Sequence, residues 1–166
     1  MAEVLPLSEN ELSLLQSLLQ HNVQFMLVGL SAAALQGAPV VTEDVDLWFS
    51  NLSDPNLTKA LAAVGAAYVP PMGYNPPMLA GTGSEPFDVV IRLDGLDKFE
   101  DEWKRALKMR IGHLSLRVLP LDRILASKQA ANRPKDQRVI PVLQNALLTI
   151  ATAKKKKSRS AAKRKS

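Results

Sequence analysis

The sequence predicts one α/β (α+β) domain with a mixed, twisted sheet of about four or five strands, flanking helices and a C-terminal helix pair. Three observations predict this fold class. Short apolar runs alternate along the chain with segments whose apolar residues recur at helical spacing. The 166 residues, of which 46% are hydrophobic, are enough to bury one substantial core. The chain has no cysteine, which excludes disulfides and thiolate metal sites.

The first two predicted elements are a helix and a buried strand. A capping box, in which Ser8 is the N-cap and Glu11 follows three residues later, predicts a helix that runs to about Gln20. The strand covers residues 24–28, and its continuous apolar run indicates burial on both faces.

A glycine turn and a short helix are expected next. Gly29 allows the backbone to turn sharply or to approach a ligand closely. We expect Ser31 to cap a short helix over 32–36, whose first amides would form an anion site. The second strand then covers residues 46–50.

The middle of the chain predicts one helix, a long loop and a third strand. Asp54 is expected to cap a helix that covers 56–64 and ends at a glycine. Residues 68–86 hold five prolines and three glycines, so most of this segment is expected to be loop. The third strand covers 87–93.

The last part of the domain predicts a hairpin and two helices. Apolar and polar residues alternate on both sides of a Gly-His turn within 108–118, which is typical of a β-hairpin. Helices are expected over 122–131 and from 135 to about 151, with Pro134 at the start of the second.

The basic charge is concentrated at the C-terminus. Residues 154–166 hold eight Lys or Arg and no acid, although the net charge of the whole chain is only +5. The rest of the chain has 13 basic and 16 acidic residues, so its net charge is near −3. We therefore expect a domain over 1–152 and a disordered basic tail over 153–166. Such a tail attracts nucleic acid without sequence specificity, or serves only to increase solubility.

Three aspartates are the candidate catalytic residues. Side chains in a strand alternate with period two, so Asp44 and Asp46 are expected to point the same way. Two carboxylates on one face repel each other unless a cation lies between them, and hard oxygen ligands suit Mg²⁺ or Mn²⁺. Asp88 lies in an apolar strand, where an acid is costly unless it is paired or metal-bound. Ion pairing of Asp88 with Arg92 or Arg110 is the alternative.

This arrangement resembles the nucleotidyltransferase superfamily in its minimal bacterial form. The family pattern is a strand, Gly-Gly or Gly-Ser, a short helix, Asp-x-Asp on the next strand, and a third Asp on a later strand. The resemblance extends over roughly 23–143 and includes the segments 119–128 and 133–136. The matching motif residues here are Gly29, Leu30, Ser31, Asp44, Asp46 and Asp88.

The resemblance implies a nucleotidyltransferase-like fold and a metal-dependent enzyme. Such an enzyme moves a nucleoside monophosphate from a nucleoside triphosphate to a hydroxyl on RNA, protein or a small molecule. The three aspartates would be the catalytic residues and would hold Mg²⁺ or Mn²⁺. The nucleotide would be bound by Gly29, Leu30, Ser31, Lys128 and Lys135. Several similar proteins are toxins of toxin–antitoxin systems. By that association we expect an antitoxin protein as a partner of this protein.

Two alternatives remain open at this point. Relatives often have a second glycine where Leu30 stands and a basic residue where Val40 stands, which favours a catalytically inactive nucleotide- or nucleic-acid-binding module. A structural or partner-binding protein would instead pair the acids with Arg or Lys. The absence of a secretory signal and of a long apolar run predicts a cytoplasmic protein that does not enter a membrane.

Overall fold

The computed structural model describes residues 4–165 and folds them into six α-helices and seven β-strands. In chain order the elements are α1 (Glu9–Gln20), β1 (Phe25–Val28), α2 (Gly29–Leu35), β2 (Val45–Phe49), α3 (Pro55–Ala62), β3 (Ala66–Val69), β4 (Met78–Gly81), β5 (Phe87–Val90), α4 (Phe99–Arg105), β6 (Leu107–Ile111), β7 (Leu114–Val118), α5 (Leu121–Ala131) and α6 (Pro134–Lys165).

The main sheet is mixed and has five strands, which confirms the predicted fold class. Its strand order is β5-β2-β1-β7-β6. The pairs β2–β5 and β1–β7 are parallel, whereas β1–β2 and β6–β7 are antiparallel. The predicted hairpin is β6–β7, and the predicted C-terminal helix pair is α5 and α6.

The hydrophobic core lies around β1, the central strand. All four side chains of β1 are buried, as its continuous apolar sequence predicts. The leucines of α1 close one side of the core, and Ser17 of α1 donates a hydrogen bond of 2.6 Å to the backbone oxygen of Ala60 in α3. The capping box of α1 is confirmed by bonds in both directions between Ser8 and Glu11.

The start of α2 differs from the prediction. The helix begins at Gly29 and not at residue 32, and its N-cap residue is Val28, which makes no side-chain cap bond. Gly29 has a φ of +70°, so the chain turns directly from β1 into the helix without a separate capping residue. Ser31 is therefore not an N-cap, and its hydroxyl donates to the backbone oxygen of Val28 at 3.3 Å.

Residues 68–86 contain more regular structure than predicted. Strands β3 and β4 form a separate two-stranded antiparallel sheet, joined by a loop that holds most of the prolines. Strand β4 has the sequence Met-Leu-Ala-Gly, which lacks the alternation and the β-branched residues that signal a strand. Strand β4 is instead stabilised by its antiparallel pairing with β3, which supplies hydrogen-bond partners for its backbone.

The predicted disordered tail is the largest difference. Helix α6 continues without interruption to Lys165, so the described part of residues 153–166 is helical. No glycine or proline follows Pro141 before the end of the helix, and Lys, Arg and Ala are good helix formers. Cations near a helix C-terminus also interact favourably with the helix dipole. The division into a domain over 1–152 and a tail remains a prediction.

Within residues 4–165, no helix is both long and apolar enough to cross a bilayer.

Candidate active site

A cleft opens at the end of the sheet where β1 ends and where β2 and β5 begin. Its volume is about 250 Å³. Acidic side chains come from β2, from the loop before it, from β5 and from α6, and basic ones come from the C-terminal helix pair. The lining residues are Leu30, Thr42, Asp44, Asp46, Asp88, Lys128, Lys135 and Asp136.

The strand register brings two of the aspartates together. Asp46 on β2 lies opposite Val28 of β1 on one side and opposite Asp88 of β5 on the other. Because β2 and β5 are parallel and in this register, the carboxylates of Asp46 and Asp88 line the same cleft. Gly29, which directly follows Val28, is for the same reason a neighbour of Asp46.

Asp44 reaches the cleft from the loop before β2. Its backbone amide donates to the hydroxyl of Thr42 at 3.2 Å, and that hydroxyl donates to the Asp44 carbonyl at 3.3 Å. Asp44 is exposed, whereas Asp46 is half-buried. The three predicted aspartates therefore line one cleft but differ in their access to solvent.

Burial and neighbouring carboxylates raise the pKa of two of the aspartates, Asp46 and Asp88. Burial is the largest cause of the raised pKa of Asp46, and the charges of Asp88 and Asp44 add to it. The ammonium groups of Lys128 and Lys135 act in the opposite direction. The pKa of Asp88 is raised by partial burial and by the charge of Asp44. The cleft thus holds negative charge that the folded protein compensates only in part.

None of these aspartates belongs to an ion pair described within residues 4–165. Arg92 pairs with Asp94 at 3.6 Å, so the alternative in which Arg92 neutralises Asp88 is wrong. This argues against a purely structural explanation of the three acids.

The acids do not form a closed set of metal ligands. In the part of the chain that the structure describes, no group of three or more Asp, Glu or His residues has the arrangement of a metal site. The chemistry of the set nevertheless suits a hard divalent cation, because three carboxylates share one cleft and disfavour one another's charged form.

A second cavity adjoins the acidic cleft and is rich in cations. Its volume is about 260 Å³, and it shares Asp46, Lys128 and Lys135 with the cleft. Arg92 and Arg133 also line it. Two cavities of different charge therefore meet at Asp46.

Lys128 and Asp136 connect the helix pair to the acids. The Lys128 ammonium lies 3.6 Å from the Asp136 carboxylate, and its charge lowers the pKa of Asp46. Asp136 is only 1% exposed and accepts hydrogen bonds from the backbone and the guanidinium of Arg133. Burial would raise the pKa of Asp136, but the hydrogen bonds from Arg133 outweigh it and the pKa is lowered. The family resemblance included Arg133 and Asp136 in the segment 133–136, but neither was among the predicted site residues.

The position of Gly29 requires glycine for two reasons. Its φ of +70° lies in the left-handed region. A β-carbon added there would overlap Oδ2 of Asp46 and would lie 3.2 Å from Cγ of the same residue. The close approach predicted for Gly29 is thus made by the Asp46 carboxylate.

Some of the remaining residues that the sequence analysis singled out line the cleft, and others do not. Leu30 and Lys135 line the cleft. Ser31 is buried, at 1% exposure, and lines neither cavity. Val40 packs against the hydrophobic core and is not a lining residue of the cleft.

Comparisons with known proteins give similarity only at the level of structure. No protein-family model and no curated protein sequence matches the chain. The crystal structure of ANT(2″)-Ia in complex with adenylyl-2″-tobramycin is similar over 90% of this chain and 92% of that chain, with 14% identity and a TM-score of 0.53. The solution structure of the antibiotic-resistance factor ANT(2″)-Ia has 16% identity over 90% of each chain and a TM-score of 0.56.

A third similar structure comes from a fungus. It is an antigenic nucleotidyltransferase-like protein from Paracoccidioides brasiliensis, with 18% identity over 93% of each chain and a TM-score of 0.50. These identities are low, so the similarity concerns the fold. The protein therefore has the fold of the nucleotidyltransferase superfamily, as the motif resemblance implies.

Proposed function

We propose that the protein is a metal-dependent nucleotidyltransferase, which moves a nucleoside monophosphate from a nucleoside triphosphate to a hydroxyl acceptor. The observation that carries this proposal is the separation of charge across the two adjoining cavities. Four carboxylates and two lysines line one cavity, whereas one carboxylate, that of Asp46, and four cations line the other. The four cations are Arg92, Lys128, Arg133 and Lys135. A nucleoside triphosphate needs cations for its phosphates and an acidic site for its divalent metal ion.

Asp44, Asp46 and Asp88 would hold Mg²⁺ or Mn²⁺. Burial and, after it, the charges of neighbouring carboxylates raise the pKa values of Asp46 and Asp88, and a bound cation would relieve the part that comes from repulsion. The bound metal would neutralise phosphate charge and make an acceptor hydroxyl easier to deprotonate.

The basic cavity would bind the phosphates. Arg133 and Arg92 can donate two hydrogen bonds each to phosphate oxygens, and Lys128 and Lys135 can add point charges. Helix α2 has only seven residues, so its dipole adds less than these side chains do. Gly29 has no side chain, and the space that a side chain would take is occupied by the Asp46 carboxylate, which lines both cavities.

Asp88 would accept the proton of the acceptor hydroxyl. It is solvent-accessible and lines the cleft, so an acceptor hydroxyl can approach it. Lys128, held by Asp136, would keep the Asp46 carboxylate ionised between the two cavities.

The test is transfer of label from each nucleoside triphosphate to total cell RNA, to protein and to small molecules, with Mg²⁺ present. We expect the Asp46→Asn variant to lose transfer by about 10² to 10³-fold, because it removes charge stabilisation at the reacting phosphate. Asp122→Asn is the matched control, since Asp122 is an exposed acid on α5 outside both cavities. Full activity in Asp46→Asn would exclude this site.

An inactive nucleotide-binding module is the second candidate, and Leu30 favours it. Leu30 is an apolar residue that lines the cleft where relatives often have glycine. Calorimetry with ATP or GTP and Mg²⁺ separates the two candidates. Binding that depends on Lys128 and Lys135, without transfer to any acceptor, would support the module.

A further inference from the structure

The last turns of α6 form a helix that stands clear of the domain. The buried side of α6 ends with Leu143 and Ala146, and Ile150 is the last residue that packs against the core. Every side chain from residue 151 to residue 164 is exposed. We call residues 154–165 the tail helix.

The tail helix carries a charge that the rest of α6 does not neutralise. Asp136 is the last acidic residue of the sequence, and it lies in the cleft at the other end of the helix. In the tail helix, Lys155 and Arg159 are spaced four residues apart, where like charges destabilise a helix by a few tenths of a kcal/mol per pair. A negatively charged partner would remove this repulsion.

The distribution of the cations distinguishes between partners. Successive residues of an α-helix are rotated by about 100°, so the four consecutive lysines 154–157 point in all directions around the axis. No large apolar side chain follows Ile150, so the helix has no face to bury in a lipid surface. An acidic protein surface would contact only one side of such a helix. The groove of a nucleic-acid duplex has phosphates on both sides and is wide enough in B-DNA to admit an α-helix.

We infer that the tail helix is a binding site for nucleic-acid duplexes, separate from the cleft, and that it inserts into a groove between the phosphate backbones. It carries only Lys, Arg, Ser and Ala side chains, which contact phosphates and do not read a long base sequence. Binding is therefore non-sequence-specific and strongly dependent on salt. The inference does not depend on the proposed nucleotidyl transfer, because it needs no nucleotide.

The experiment measures binding of the full chain to fluorescent duplexes of about 20 base pairs, of DNA or RNA, between about 50 and 200 mM salt. The variant replaces the lysines 154–157 with Gln, which has a similar helix propensity. The matched control replaces four exposed lysines of the domain with Gln and makes the same change in net charge. These control positions are Lys59, Lys98, Lys104 and Lys108.

We expect the wild type and the domain control to bind with a steep salt dependence. Loss of four phosphate contacts should reduce the slope of log K against log salt by about 3 to 4, and weaken binding at low salt by 10-fold or more. Circular dichroism should show the same helix content in all three proteins. Binding to duplex DNA supports the inference, whereas binding to duplex RNA alone would contradict insertion into a groove, because the major groove of A-form RNA is deep and narrow.

Two results would overturn the inference that the tail helix binds nucleic-acid duplexes. One is equal affinity of the tail variant and the domain control for both duplexes. The other is displacement of the duplex by poly-glutamate at equal charge concentration, which would indicate an acidic protein partner. Loss of duplex binding with intact nucleotidyl transfer, or the reverse, separates this inference from the proposed function.

Discussion

The contact between Gly29 and Asp46 predicts the effect of adding a single methyl group. In Gly29→Ala, a residue with a β-carbon must keep a φ of +70°, which costs about 1–2 kcal/mol. The new β-carbon also overlaps Oδ2 of Asp46, so the carboxylate must leave its rotamer, at about 0.5–1.5 kcal/mol more. We expect a total loss of about 1.5–3.5 kcal/mol, which for a chain of this size lowers Tm by about 3–14 °C.

The control for backbone strain is Gly73→Ala. Gly73 also has a positive φ, of +58°, but a β-carbon there would meet no other atom within 4 Å. This variant should lose only the cost of the left-handed conformation. The excess loss in Gly29→Ala then measures the displacement of Asp46.

The assay is urea denaturation of the two single variants, of Asp46→Ala, and of the double variant Gly29→Ala/Asp46→Ala. Removing the carboxylate removes the overlap, so the double variant should show a coupling of about 1 kcal/mol. If the proposed function is correct, Gly29→Ala also loses nucleotidyl transfer, whereas Gly73→Ala keeps it. Equal destabilisation by the two glycine substitutions, together with zero coupling, would refute the contact.

Two further predictions concern buried carboxylates. Glu102 is fully buried and accepts hydrogen bonds from Arg123 at 2.9 and 2.6 Å, so Glu102→Gln should cost about 2–3 kcal/mol in urea denaturation. Burial alone would raise the pKa of Glu102, but these hydrogen bonds lower it. The ionised Glu102 therefore stabilises the folded state fully above pH 4.5, the ordinary pKa, and this stabilisation is lost as the pH falls through the lower pKa of the folded state. The stability of the wild type should thus fall more steeply than that of Glu102→Gln below pH 4.5. Asp136→Asn should cost about 2–3 kcal/mol, because it leaves the ammonium of Lys128 without its carboxylate partner, and it should also reduce nucleotidyl transfer.

The controls for these two substitutions are exposed acids on the same helix, for Glu102, and on the neighbouring helix, for Asp136. Glu100→Gln on α4 and Asp122→Asn on α5 should each change the free energy of unfolding by no more than about 0.5 kcal/mol. An unchanged pH dependence in Glu102→Gln would contradict the assigned role of its ion pair. If Asp136→Asn lost stability but kept full transfer activity, Asp136 would have a structural role only.

Local sequence signals were sufficient for much of the fold. The capping box at Ser8, the buried strand β1, the cap at Asp54 and the hairpin β6–β7 are all confirmed. Each depends on residues a few positions apart, so periodicity and capping chemistry reveal them directly. The start of α2 and the strands β3 and β4 did not follow from local signals, whereas the helical tail agrees with the helix propensity of its Lys, Arg and Ala residues.

The candidate site also combines features that follow from local sequence with features that depend on the tertiary structure. The spacing of Asp44 and Asp46 is a local property, and the sequence alone identified it as a pair of carboxylates beside a strand. The position of Asp88 beside Asp46 depends on the parallel register of β2 and β5, and that of Asp136 depends on how α6 packs against α5. Strand order and helix packing follow from the packing free energy of the whole core, which no short segment contains. The sequence therefore determined which side chains could bind a metal and phosphates, and the tertiary structure decided which of them share a cleft.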